Sequence, residues 1–221
     1  MALPTSYATL QTWLLDWMDR DTSVPVVDFI ALAEGEMNSR LRLRHNSTAT
    51  ALSLTTGTSS VALPSDYLEL ISLSWTDGTD SPQNRDRLFI DQISQDTTVG
   101  RARPVYYAVL TSTIQFERPS DVTYPMTLRY YQRWNIASTD TNWILVNRPG
   151  IYLGLALRRA ANYLSDQNGA QVWMQEAERD LAQLINEDAR ERAKGLHVRV
   201  DQALVRVGKY NIYTDTFTNT N

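Results

Sequence analysis

Pro125-Met-Thr-Leu-Arg-Tyr-Tyr-Gln-Arg-Trp134 alternates with period two: Met126, Leu128 and Tyr130 fall on one face, and Thr127, Arg129, Tyr131 and Arg133 on the other. Successive side chains of an extended chain point to opposite faces, so this spacing predicts a half-buried strand rather than a helix. The same texture runs back to Ser47. Threonine and serine are dense there, helical spacing is absent, and Leu52 and Leu54 alternate with polar neighbours. Leu63-Pro-Ser-Asp66 reads as a turn and Tyr67 to Trp75 as a strand. Asp77 to Arg87, with Gly78, Pro82 and five charges, reads as an exposed loop. Val105 to Leu110, a turn at Thr111-Ser112, and Thr113 to Arg118 make a hairpin. About six short strands of this kind predict a small antiparallel β-sandwich or barrel.

Helical spacing flanks this segment on both sides. Thr5 and Ser6 are N-cap types, and Leu10, Trp13, Leu14, Trp17 and Met18 recur behind them at intervals of three and four. A second stripe is Phe29, Ile30, Ala33, Met37 and Leu41, with acids early and Arg40, Arg42 and Arg44 late, as the helix dipole favours. Glu36 and Arg40 stand at the i,i+4 spacing of an ion pair. After Trp143, a packing anchor, helical spacing returns at Arg148-Pro149, where proline suits a first turn. Tyr152, Leu155, Ala156, Arg159 and Tyr163 share a face there. The last helix runs from about Ala170 to Lys194 with the stripe Trp173, Ala177, Leu181, Leu184 and Ile185, and Gly195 as its C-cap.

Four apolar stripes bury one another most simply in a bundle. The expected fold is therefore α+β. Residues 1–46 and 143–195 form a four-helix bundle from the N- and C-terminal helix pairs. Residues 47–142 are an inserted small antiparallel β-sandwich or barrel, and residues 196–221 an extended C-terminal arm.

Composition narrows the chemistry. The chain has 221 residues, 25 acidic against 21 basic, and no cysteine. Disulfides, thiolate metal sites and thiol nucleophiles are excluded, and His45 and His197 offer little for zinc or for a histidine base. The net charge of -4 argues against a dedicated nucleic-acid binder. The bases are 19 arginines and two lysines, Lys194 and Lys209. That bias suits interface ion pairs, and gene base composition would produce it equally. Met1-Ala-Leu-Pro-Thr5 lacks the features of a signal peptide, so the chain is expected to fold in a cytoplasm. The apolar run Ile151 to Leu157 is closed by Arg158-Arg159, too short for a membrane span.

No GxxxxGK[ST], GxGxxG or GxSxG is present, so no cofactor or metal is expected. The acid pairs Asp19/Asp21, Glu34/Glu36, Glu176/Glu178 and Glu187/Asp188 fall on helices or their ends and read as solvated charge rather than as a glycosidase pair. Gly150 and Gly154 signal close helix packing. Trp13, Trp17, Trp75, Trp134 and Trp173 lie on core stripes or strands rather than on a sugar platform.

The ordered set of landmarks resembles the tailed-phage head-to-tail adaptor family. Trp13-Leu-Leu-Asp-Trp17, Asp28-Phe-Ile-Ala-Leu-Ala-Glu34, Met37-Asn38 and Arg40-Leu-Arg-Leu-Arg44 look like its opening. Leu63-Pro-Ser-Asp-Tyr67-Leu-Glu69 resembles its LPxDFLE element, Arg103-Pro104-Val-Tyr106-Tyr-Ala108 its RPxxYA element, and Leu128-Arg-Tyr130-Tyr131 its paired-tyrosine strand. Trp143-Ile-Leu145 followed by Tyr152-Leu153 and Leu157 is similar to its entry into the third helix. The resemblance spans about residues 7 to 190 and omits the tail and the loop from Trp75 to Arg87.

It implies a structural virion protein of the neck, assembled in the host cytoplasm, with no catalysis and no cofactor. Such a protein forms a ring of about twelve copies below the portal protein after DNA packaging. It offers a platform to the next tail component, a nozzle or stopper. Genomic DNA would pass through the lumen without sequence-specific binding, which a net acidic chain suits. Candidate ring-interface residues are Arg40, Arg42 and Arg44, which alternatively cap their own helix. Candidate residues of an arm docking on the portal or a neighbour are Tyr210, Ile212, Tyr213 and Phe217; the other reading of that tail is a frayed terminus. A neck stopper, tail terminator or decoration protein, or a carbohydrate-binding or glycan-hydrolysing protein, stays open as an alternative.

Overall fold

The computed structural model describes residues 3–19, 24–78, 81–86, 90, 100–194, 210–211 and 216–217. The chain falls into two compact units, residues 1–182 and 183–221.

In the first unit the alternating segment builds two sheets. One has the order β1 (Ser47–Leu54), β7 (Tyr124–Gln132), β3 (Tyr67–Trp75), antiparallel throughout, with β7 in the centre. The other has the order β2 (Ser60–Ala62), β6 (Thr113–Phe116), β5 (Tyr106–Val109), β4 (Gln83–Asn84). The sheets share one core: Leu54, Leu73, Trp75, Met126, Leu128 and Tyr130 from the first meet Tyr107, Ile114 and Phe116 from the second. Met126, Leu128 and Tyr130 point inward, as their alternation requires, while Arg129 is exposed. The expected hairpin forms, with Val109 opposite Ile114 and the Leu110 amide bonded to the Thr113 carbonyl. Among the described residues no barrel closes, so of the two β architectures expected the open two-sheet form is the one present.

Within the expected loop Asp77 to Arg87, Gln83 and Asn84 add to β5 as a parallel edge strand. Gln83 N donates to Val105 O at 2.7 Å and Arg85 N to Tyr107 O at 2.8 Å. Backbone groups carry these bonds, so the polar side chains that mark a loop do not prevent them.

Among the described residues six helices precede or follow the strands β1 to β7 in sequence. α1 (Tyr7–Met18) opens with a reciprocal capping box between Ser6 and Thr9. It buries Leu10, Trp13 and Leu14, but Trp17 is 50% exposed at the end of its stripe. α2 (Val26–Arg40) buries Phe29, Ile30, Ala33 and Met37. Two short helices that spacing did not reveal, α3 (Ile136–Thr139) and α4 (Trp143–Asn147), link the sheet to the C-terminal helix pair. Each is started by an asparagine side chain, Asn135 accepting from Ser138 N and Asn142 from Leu145 N. A helix of four or five residues is too short to show a period, so only its cap marks it. α5 (Pro149–Tyr163) has every residue from Ile151 to Leu157 buried, which makes it the central helix of the unit.

The last helix, α6 (Gln167–Ala193), continues from the first unit into the second. Within the first unit, side-chain contacts reach all four long helices. Phe29 meets Tyr163 at 5.6 Å between ring centroids, and Trp17 meets Trp173 at 5.7 Å. A Cβ on Gly154 would stand 3.2 Å from the Ala177 Cβ, the close packing expected of the Gly150/Gly154 pair. In the second unit Leu184 is buried and Ile185 is 41% exposed, off the stripe assigned to it. Arg192 pairs with Asp188 at 2.6 Å. The backbone of β8 (Tyr210–Asn211) pairs antiparallel with β9 (Thr216–Phe217). The tail thus contains a short ladder of its own, where the sequence showed no sheet for it to join. Gly195 and His197 lie outside the described residues.

Candidate functional site

The arginine-rich end of α2 is where polar side chains gather. Arg40 makes a two-pronged contact with Glu178 of α6, both distances 2.6 Å, and reaches Glu36 at 3.2 Å, the i,i+4 pair expected from spacing. The hydrogen bond to Glu178 raises the pKa of Arg40 and lowers that of Glu178. Both side chains stay partly exposed, so water screens the pair and about 1 kcal/mol is its ceiling. Arg42 donates to the Asn38 and Leu41 carbonyls at 2.8 Å each, which caps α2, and pairs with Glu69 of β3. Arg44 is exposed in a short 3-10 turn, Arg44–Asn46, just before β1. The three candidate arginines therefore follow one another at one end of α2, where Arg40 holds Glu178 and Arg42 holds Glu69 of their own chain.

Glu36 lies deeper. Its carboxylate collects Arg40, Arg158 and Arg159, with Arg159 Nη2 at 3.2 Å and the side chain of Glu36 14% exposed. Arg158-Arg159, which end the apolar run of α5, thus fasten α5 to α2. Glu36→Ala would leave three guanidinium groups around an empty position. It should lower unfolding free energy by about 1–3 kcal/mol in urea melts, and Glu36→Gln by less.

Glu34, two residues earlier on α2, is buried on a different side. It accepts from the Ile136 amide at 2.7 Å and from the Tyr152 hydroxyl at 2.8 Å, and Asn142 donates to that hydroxyl at 2.6 Å. Burial raises the pKa of Glu34, and the two hydrogen bonds offset part of that rise. Burial, with the Glu34 carboxylate beside it, also raises that of Tyr152. The reading of Glu34 and Glu36 as solvated charge is thus corrected. Residues two apart on a helix point about 200° apart, so the pair is split between two separate joints.

Glu34 also lines a groove of about 560 Å³ with Asp66, Arg133 and Trp134. Asp66 accepts from the Tyr130 hydroxyl at 2.8 Å, which joins the Leu63-Pro-Ser-Asp66 turn to the Tyr130-Tyr131 strand. Arg103 lies over the rings of Trp75 and Tyr124, at 5.2 and 5.0 Å, and bonds Asp77 at 2.9 Å. Each of these side chains, Glu34, Glu36, Asp66 and Arg103, is engaged with another element of its own chain. No cluster of His, Asp and Glu fit to hold a metal occurs among the described residues.

Trp13, Trp75 and Trp134 are buried, as their core reading expected. Trp143 stacks flat on His45 with centroids 4.0 Å apart. In the tail, Tyr210 and Phe217 stand opposite each other in the β8–β9 ladder, while Ile212 and Tyr213 lie outside the described residues. No described helix is long and apolar enough to cross a membrane.

No curated protein matches the chain. The model of the SU10 adaptor protein family matches residues 5–200, from the cap of α1 past the end of α6. On that match the chain belongs to the SU10 adaptor protein family, a phage head-to-tail adaptor family, which implies a structural part meeting other head or tail proteins at the virion neck rather than an enzyme.

Proposed function

We propose that this protein forms a homo-oligomeric ring below the portal after DNA packaging and links the portal to the next tail component. The family match over residues 5–200 carries this reading. The internal joints support it. A subunit that bears load between head and tail needs its elements fastened to one another. Glu34, Glu36 and Asp66 do that across α2, α5 and the sheet.

In this reading residues 1–46 and 143–195 act as a four-helix bundle, supported by the contacts of Trp17, Phe29, Gly154 and Arg40 with the facing helices. Residues 47–142 are its inserted β domain and residues 196–221 its docking arm. Subunits in a ring meet through two different faces. Arg40, Arg42 and Arg44 then lie at one such face, where a neighbour's carboxylate would add to Glu178 and Glu69. Tyr210, Ile212, Tyr213 and Phe217 dock on the portal or a neighbouring adaptor. DNA passes through the lumen without base contacts.

Electron microscopy of the purified protein, alone and with its portal, tests the proposal. A ring seated on the portal with matching, roughly twelvefold symmetry is expected. Changing the three arginines to alanine should weaken ring formation, and changing the four tail residues to serine should weaken portal binding. A portal that stays bare in the presence of excess protein would overturn the proposal, and a ring found only at the far end of the tail would identify a terminator instead.

A further inference from the structure

Exposed sheet edges invite other strands, and folded proteins blunt them with bulges, charge or brevity. Among the described residues, three of the four edges of the two sheets in the first unit are blunted. β2 has three residues and β4 two. The pairing of β3 slips between Tyr67 and Glu69 and again between Leu70 and Ser72, and β3 carries the charge of Glu69. β1 differs. It runs for eight residues, Ser-Thr-Ala-Thr-Ala-Leu-Ser-Leu, in unbroken register with β7, and it contains no charge, no proline and no bulge.

The direction of its backbone groups follows from one bond. Thr76 N donates to Pro125 O at 3.0 Å, in register with the pair Trp75–Met126, so the groups of Pro125 face β3. Backbone groups alternate sides along a strand, so those of Met126 and Leu128 face β1 and meet Leu52 and Thr50. The amides and carbonyls of Ala49, Ala51 and Ser53 therefore point away from β7, out of the sheet. Their side chains are exposed and small, which leaves room beside them for large neighbours on an added strand.

We propose that the outer edge of β1 receives an extended strand from a second copy of this chain, residues 208–221, paired through Ala49, Ala51 and Ser53. The choice of a second copy rests on the ring-forming reading above. The segment Gly208-Lys-Tyr-Asn-Ile-Tyr-Thr-Asp-Thr-Phe-Thr-Asn-Thr-Asn221 is rich in strand formers. Its one base and one acid cancel, matching an uncharged edge, and Tyr213 and Phe217 share a parity that would set both rings on one face of an extended strand. The ladder β8–β9 within one chain has two residues on each side and costs little to open.

The test uses the full-length protein and a fluorescent synthetic peptide of residues 208–221. Ala51→Pro deletes an outward amide and leaves the ladder to β7 intact, since proline is tolerated at an open strand edge. Ala51→Val keeps the amide. The peptide should bind wild type and Ala51→Val alike and Ala51→Pro at least about tenfold more weakly. In hydrogen exchange of unmodified protein, the amides of Ala49, Ala51 and Ser53 should slow as concentration rises and assembly proceeds.

Equal binding to Ala51→Pro, no binding to wild type, or protection independent of concentration (a strand from the same chain) would each overturn the pairing. Rings forming normally on the portal in those cases would leave the adaptor reading standing; a bare portal with wild type would sink that reading instead.

Discussion

Glu34→Ala should lower the unfolding free energy by about 3 kcal/mol, because it strips the acceptor from two buried donors at once. The Ile136 amide and the Tyr152 hydroxyl both depend on that carboxylate, and neither has water to turn to: Tyr152 is 0% exposed and Ile136 0%. Glu34→Gln keeps an acceptor oxygen for them and should cost clearly less. A pH series separates charge from shape. Burial raises the Glu34 pKa above that of the unfolded chain, so between the two values the native state holds more protons than the unfolded state. Stability from this group is therefore highest at low pH, falls as pH rises from the ordinary glutamate range, about 4.3, through the raised value, and is level above it. Urea melts of wild type should show that step, and melts of Glu34→Gln should lack it. A Glu34→Ala protein as stable as wild type would mean that α2 and α3 are held together without this joint.

The second large effect is expected in the sandwich. Phe116 is fully buried, stacks on Trp75 at 5.9 Å and meets Tyr107 at 6.2 Å, so one ring spans both sheets. Phe116→Ala should cost about 3–5 kcal/mol, the lost transfer energy plus a cavity that two flanking rings cannot close without leaving their rotamers. Phe116→Leu conserves most of the volume and should cost less than about 1.5 kcal/mol. Thermal unfolding followed by near-ultraviolet circular dichroism reads the effect directly, since Trp75 reports the packing around the site. A small loss for the alanine variant would show that the two sheets adhere through other residues.

These side chains differ in how visible they were. Phe116 belongs to a hairpin marked by a two-residue turn between strand formers, and its inward direction follows from alternation. Glu34 carried no such mark. Beside Glu36 it looked like surface charge, and only the turn of the helix sends the two carboxylates to different partners. Arg158 and Arg159 read as the end of an apolar run, yet both reach back to Glu36. α3 and α4 were hidden because helices so short have no period to detect. The β4 strand was hidden because its pairing uses backbone groups that every residue possesses.

What the amino-acid order determined alone is local: the periods that make Met126, Leu128 and Tyr130 face inward, the cap at Ser6, the proline that starts α5, and the arrangement of helices around a β segment. Those features depend on residues a few positions apart, whose mutual geometry is set by the backbone itself. The tertiary structure decided which distant groups meet, Glu34 with Tyr152, Glu36 with Arg158, Asp66 with Tyr130, and which strand lies at a sheet edge among the described residues. Such pairings arise only when whole elements cross, because the angle and height of the crossing, not the spacing along the chain, bring one side chain within reach of another.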